Sequence, residues 1–92
     1  FHLAAVLSDP DPVRLYAVNV EGTLALYGAV RAHAPRSRVL VGSSSAVYGA
    51  AESLPVTEGH LFRPSTHYGA SKAAQELAAV ACAREGVATI RV

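Results

Sequence analysis

The stretch Arg38-Val39-Leu40-Val41-Gly42-Ser43-Ser44-Ser45 decides the fold. A short unbroken apolar run that ends in hydroxyls is the pattern of a central parallel strand followed by a site-forming loop. Upstream, Phe1-His2-Leu3-Ala4-Ala5-Val6 reads as the end of another buried strand, broken by Ser8-Asp9-Pro10-Asp11-Pro12. Either aspartate can cap a helix there, and Pro12 fits a first helical position, where its missing N–H costs nothing. A helix is therefore expected over 12–33, ended by Pro35. Val13, Tyr16, Val20, Leu24 and Tyr27 recur at three- and four-residue steps along it. Leu15, Val18, Leu26 and Ala29 cover a second side, and only Arg14, Glu21 and Arg31 mark a polar stripe. A helix apolar over most of its circumference is buried on more than one side, one against the sheet and one against a second partner.

Downstream, the segment 47–66 carries Gly49, Pro55, Gly59 and Pro64 and is long for a connection, a length more often functional than idle. A second helix is expected over 67–85, closed by Gly86 as a C-terminal cap. Its expected buried side is small: Ala70, Ala73, Ala74, Leu77, Ala78 and Ala81. Residues 87–92 form the last strand. The order strand, helix, strand, loop, helix, strand makes two βαβ units, hence an α/β fold with a parallel sheet and right-handed crossovers. Ligands gather at the carboxyl ends of such strands, here after Ala5 and at the serines after Val41.

Composition narrows the function. Apolar residues are 51% of the 92 and charged residues 16%, which argues against disorder. A net charge of +1 offers no electrostatic footprint for nucleic acid or an anionic membrane. The apolar runs are far shorter than the roughly 20 residues of a membrane span. No charged n-region precedes an apolar h-region, so the expected compartment is the cytoplasm. The single cysteine, Cys82, excludes cysteine-rich zinc sites and reads as a small packed residue. His2, His33, His60 and His67 lack ligand spacing, so no metal is expected. Arg36 and Arg38 beside Pro35 read as a solvated turn.

Two groups of residues can carry chemistry. Tyr68 and Lys72 are four apart and share a helix face. An ammonium beside a phenol favours the phenolate, which suits proton transfer to or from a substrate hydroxyl. The same spacing also fits a surface Lys72–Glu76 pair with Tyr68 as a packed first-turn aromatic. Serines at a strand end, Ser43 to Ser45, can donate to a developing oxyanion or simply cap a turn. Together they fit one reaction class, in which Ser orients a carbonyl or hydroxyl, Tyr moves the proton and Lys tunes Tyr.

Here the sequence resembles the extended short-chain dehydrogenase/reductases, in the NAD-dependent epimerase/dehydratase group that acts on nucleotide sugars. His2-Leu3-Ala4-Ala5 resembles the family's motif at the end of its fourth strand. Asn19-Val20-Glu21-Gly22-Thr23 is similar to its Asn-Val-x-Gly-Thr helix motif. Ser43-Ser44-Ser45-Ala46-Val47-Tyr48-Gly49 is similar to Ser-Ser-x-x-Val-Tyr-Gly. Pro55-Val56-Thr57-Glu58 resembles the acidic loop that follows, and Tyr68-Gly69-Ala70-Ser71-Lys72 resembles Tyr-x-x-x-Lys. The likeness covers essentially the whole chain.

The resemblance implies a partial Rossmann-type doubly wound sheet and NAD or NADP as cofactor. It makes Ser44 the catalytic hydroxyl, Tyr68 the acid/base, and Lys72 the holder of the nicotinamide ribose. Leu3, Ala4, Ala5 and Asn19 would border the cofactor. The substrate would be a nucleotide sugar, and the two helices would form a four-helix bundle across a homodimer. Residues 1–92 would be an interior piece, without the Gly-rich phosphate loop of the first βαβ unit and without the C-terminal substrate region. The nucleotide-sugar dehydratases usually carry an acid two positions after the catalytic Ser/Thr; Ala46 stands there. That favours epimerisation or ketone reduction over 4,6-dehydration, with a non-catalytic dinucleotide-binding relative as the reading from a different class. Two helices cover one sheet face only, so the isolated 92-residue chain should be unstable or aggregate and should not bind NAD(P) measurably. A calorimetric titration that finds micromolar NAD binding to it would contradict this expectation.

Overall fold

The computed structural model describes residues 1–51 and 54–92. Residues 52 and 53 of the long connection lie outside the described residues. The first helix begins as expected: Asp11 Oδ1 accepts the Val13 N–H at 3.0 Å, and Pro12 opens the first turn. It runs as α1 (Pro12–Tyr16), a π-helical stretch (Ala17–Glu21) and α2 (Gly22–His33). β1 (Val39–Val41) follows, then a 3-10 turn (Ser45–Tyr48), α3 (His67–Arg84) and β2 (Thr89–Arg91). Thr66 caps α3 by accepting the Gly69 N–H at 3.0 Å. At its other end Gly86 takes φ +102° and donates its N–H to the Ala83 carbonyl at 3.1 Å.

β1 is the middle of the sheet. It pairs in parallel with β2, Val39 opposite Thr89 and Val41 opposite Arg91. On its other edge His2 forms one parallel bridge to Val41, donating to the Leu40 carbonyl at 2.7 Å and accepting from Gly42 at 3.1 Å. Both crossovers step the same way along the sheet, so right-handed connections put both helices on one face. Tyr27 of α2 and Ala79 and Cys82 of α3 cluster there with Val39, Val41 and Val87. Ile90, whose side chain alternates to the opposite face, is half exposed. The strands are shorter than expected: β1 stops at Val41, and the hydroxyl residues turn off into the 3-10 helix. The opening segment keeps only its single bridge.

Two expected helix faces are corrected. In the first helix the buried stripe is Leu15, Asn19, Thr23 and Tyr27, while Val13 and Leu24 are exposed. An α-helix advances about 100° per residue, so steps of four overshoot a turn by about 40° each. The π-helical stretch, with its wider i→i+5 bonding, cancels part of that drift and keeps the four residues in line. In α3 the expected alanine face is buried only at Ala73, with Ala70, Ala74 and Ala78 half-buried. Leu77 is 62% exposed and Ala81 is exposed, whereas Ser71, Lys72, Gln75, Glu76, Ala79 and Cys82 are buried. Burying polar groups is tolerated because they are paired. Among the described residues no buried side-chain nitrogen or oxygen lacks a hydrogen-bond partner.

Gly69 sets how closely α3 approaches the 3-10 turn. A Cβ there would lie 2.5 Å from the Ala46 carbonyl oxygen, a backbone atom with little room to yield. At Gly28, in the middle of α2, a Cβ would meet nothing within 4 Å. Gly69→Ala is therefore expected to destabilise the protein by about 1–3 kcal/mol. Gly28→Ala is expected to stabilise it by about 0.5–1 kcal/mol. Denaturant midpoints of the two variants, side by side, check the opposite signs.

Candidate active site

The site is assembled at the carboxyl end of β1. Lys72, on the first turns of α3, is 3% exposed and reaches back to the strand, where its Nζ donates to the Gly42 carbonyl at 2.6 Å. Its second partner is Gln75 Oε1. Burial pulls the Lys72 ammonium below its ordinary value of 10.5, and the nearby Glu76 carboxylate partly opposes this. The surface Lys72–Glu76 pair that the spacing also allowed is not formed. Glu76 instead accepts from Ser43 Oγ, and from Arg91 Nη1 at 3.3 Å.

Tyr68, one turn earlier on α3, is half-buried, and its hydroxyl makes no hydrogen bond among the described residues. Ser44 lies two residues past the carbonyl that holds Lys72. Its Oγ accepts the Ala46 N–H at 3.2 Å, which caps the 3-10 turn and leaves its own proton to donate. Ser44 also lines an open cavity of about 610 Å³, with Ser43, Ser45, Tyr48, Glu58, Phe62, Glu76 and Arg91 among its walls. Tyr68 and Lys72 are not part of that wall. Lys72 thus reaches the strand end through Gly42 and Ser44 stands just beyond it, while Tyr68 sits one turn earlier on α3.

The motif's filler residues are the ones that hold it together. Ser71 Oγ donates to the Tyr68 carbonyl at 2.8 Å and accepts from Asn19 Nδ2 at 2.9 Å. Asn19 is 0% exposed. Its amide grips both backbone groups of Val6, accepting at 2.9 Å and donating at 3.0 Å. With its side chain bonded to Val6 and Ser71, Asn19 holds the opening segment in place. Leu3 and Ala4 of that segment are exposed, and Ala5 is half-buried.

Gln75 has no part in the sequence reading, Thr23 enters it only as a member of a quoted motif, and His2 only in a motif and among the histidines without ligand spacing. Thr23 Oγ1 donates to the Asn19 carbonyl at 2.8 Å, so it accepts from Gln75 Nε2 and from His2 Nε2, each at 2.8 Å. His2 therefore carries its proton on Nε2. No periodicity announces these residues, because a buried Gln or Thr looks like surface in a sequence.

Comparisons with known proteins bear on the family and the fold. The family model described as GDP-mannose 4,6 dehydratase matches residues 1–90. A UDP-glucose 4-epimerase from Streptomyces lividans is 41% identical over 63 residues, 68% of this chain and 19% of that protein. A short-chain dehydrogenase/reductase superfamily protein from Agrobacterium tumefaciens, solved with bound NAD, is 40% identical with a TM-score of 0.90, over 98% of this chain and 29% of that one. RMD from Pseudomonas aeruginosa, complexed with NADPH, is 33% identical with a TM-score of 0.89, over 98% of this chain and 33% of that one. The chain belongs to the extended short-chain dehydrogenase/reductases, in the NAD-dependent epimerase/dehydratase family, and its α/β layers are a piece of their Rossmann fold. It spans about a fifth of the length of the curated relatives it matches.

The seam titrates in a defined direction. Burial, and then the Lys72 charge, lower His2 from its ordinary 6.5. Between the depressed value and 6.5 the unfolded chain holds a proton that the folded one refuses, so stability rises with pH across that window. Below it the cost of charging His2 is fully present. His2→Gln, which keeps a donor for Thr23, is expected to flatten this rise. Urea midpoints compared across the window for the two proteins measure it.

Proposed function

We propose that residues 1–92 are an interior part of the NAD(P)-binding Rossmann domain of an enzyme that epimerises or reduces a nucleotide-linked sugar. The observation that carries the reading is the 2.6 Å bond from Lys72 Nζ to the Gly42 carbonyl. It ties the helix bearing Tyr68 and Lys72 to the strand end bearing Ser44. The relatives' names, UDP-glucose 4-epimerase among them, supply the substrate class. This chain's residues suit the cofactors of its structural relatives. An ammonium has three N–H donors, and two of Lys72's are taken among the described residues, which leaves one for a ribose hydroxyl. Leu3, 68% exposed, and Ala4 offer uncovered apolar surface at the neighbouring strand end.

Lys72, Leu3 and Ala4 would border a nicotinamide cofactor, which would supply the hydride chemistry when bound. Tyr68 moves the proton of the sugar hydroxyl, and Lys72, held at the strand end, offers its remaining donor to the ribose. Ser44 donates to the sugar oxygen as charge develops on it. One observation speaks for the runner-up, 4,6-dehydration: Glu58 lines the same cavity as Ser44, so a carboxylate is at hand although Ala46 supplies none. Against a non-catalytic dinucleotide-binding relative stands the joint presence of Ser44, Tyr68 and Lys72.

Association of two copies through the helices belongs to the same proposal, since Val13, Leu24 and Leu77 remain uncovered. Among the described residues no helix is long and apolar enough to cross a membrane, and we assign the protein to the cytoplasm on that family reading. Tyr68→Phe in the full-length protein is expected to cut turnover by about 10²–10⁴-fold while NAD(H) affinity is largely kept. Stopped turnover with intact NADH fluorescence binding supports the enzyme. Unchanged turnover removes it.

A further inference from the structure

Lys72 is held by more than its strand. Gln75, one turn further along α3, is 0% exposed and uses both ends of its amide. Its Oε1 accepts from Lys72 Nζ, and its Nε2 donates to Thr23 Oγ1 at 2.8 Å. Thr23 is fixed in turn by the Asn19 carbonyl and by His2, each at 2.8 Å. Gln75 is thus the link between the lysine and a chain of neutral partners that crosses from α3 to α2 to the opening segment. A buried amide with both ends occupied has one orientation, and its oxygen fixes where the ammonium's remaining proton points.

We propose that Gln75 is a positioning residue for Lys72: its side-chain oxygen holds and orients the ammonium, and Thr23 and His2 anchor that oxygen. The inference rests on the functional reading above for what Lys72 does, but not for what Gln75 does to Lys72. The titratable groups that face Lys72 are Glu76 on its own helix and His2 on the opening segment. The first helix contributes the neutral Asn19 and Thr23, and β1 contributes the Gly42 carbonyl.

The test uses the full-length protein and two variants read against the native form. The titration midpoint of Lys72 is followed by NMR of its side chain, assigned by the signal lost in Lys72→Met. NADH binding is followed by fluorescence. Gln75→Leu removes the acceptor and is expected to lower the midpoint by about one unit. It should also weaken NADH binding about tenfold, as loss of an oriented charged donor does. Gln75→Glu keeps the length and the acceptor, lets its second oxygen accept the Thr23 hydroxyl proton in place of the lost amide donor, and adds a charge, so it should raise the midpoint by about 1–3 units. Opposite shifts in the two variants support the proposal, because a purely structural glutamine would not divide them by sign. Midpoints that stay at the native value, or move together, overturn it. Opposite midpoint shifts with NADH binding unchanged in both variants and in Lys72→Met would leave Gln75 holding Lys72 and would sink the functional reading instead.

Discussion

A lysine ammonium taken out of water constrains everything near it. Removing such a charge from solvent is costly unless oxygen acceptors replace the lost hydration. Lys72 finds two, the Gly42 carbonyl and Gln75 Oε1. The first must come from a strand end, where a carbonyl is not already used by the next strand. The second must itself be held, which brings in Thr23 and, through it, the first helix. The seam between the helices is therefore polar where an ordinary helix pair would be apolar. Asn19 and Ser71 extend it, and between them they tie Val6 to the Tyr68 turn.

This seam separates what was legible in the sequence from what was not. Element order, helix limits and the Asp11 and Gly86 caps were legible, since these residues and Pro12 act locally; the Thr66 cap emerged only in the structure. The strand end with its serines was legible too, because an apolar run closing on hydroxyls has few other uses. The buried faces were not. Hydrophobic periodicity finds the side that avoids water, and in α3 that rule selected Ala73, which is buried, but also Leu77 and Ala81, which lie outside. The buried side carries Ser71, Lys72, Gln75 and Glu76, each of which bonds a partner that is distant in the sequence: Asn19, Gly42, Thr23 and Ser43. Long-range pairing leaves no periodic trace. In the first helix the π-helical stretch adds a second obstacle, because it changes the angular step on which face assignment relies.

The candidate site divides along the same line. Ser44, Tyr68 and Lys72 could be named from spacing and resemblance, yet their arrangement could not. The structure puts Lys72 on the carbonyl of Gly42, Ser44 at the cap of the turn beyond it, and Tyr68 one turn away on α3. Gly69 and Ser71, which read as filler, prove to set distances. Gly69 lets α3 close onto the Ala46 carbonyl, and Ser71 fixes the backbone of Tyr68 itself. The cavity beside Ser44 belongs to the other side of the strand end, where Glu76 and Arg91 meet.

A polar seam is also a better device for this purpose than an apolar one. Alanine against alanine is tolerant of sliding, because its contacts lose little when one helix moves by a fraction of an ångström. Hydrogen bonds between enclosed groups are not tolerant: a displaced partner leaves a donor or acceptor unmet at about 1–3 kcal/mol. Reacting groups need placement within about 0.5 Å, held by neighbours whose own rotamers are locked. Tyr68 and Lys72 ride on a helix whose sheet side offers just Ala73, Ala79 and Cys82 as buried apolar anchors. The placement of that helix against the strand and the first helix is then set by Lys72 on Gly42, Gln75 on Thr23 and Ser71 on Asn19, three links within two adjacent turns that admit one alignment.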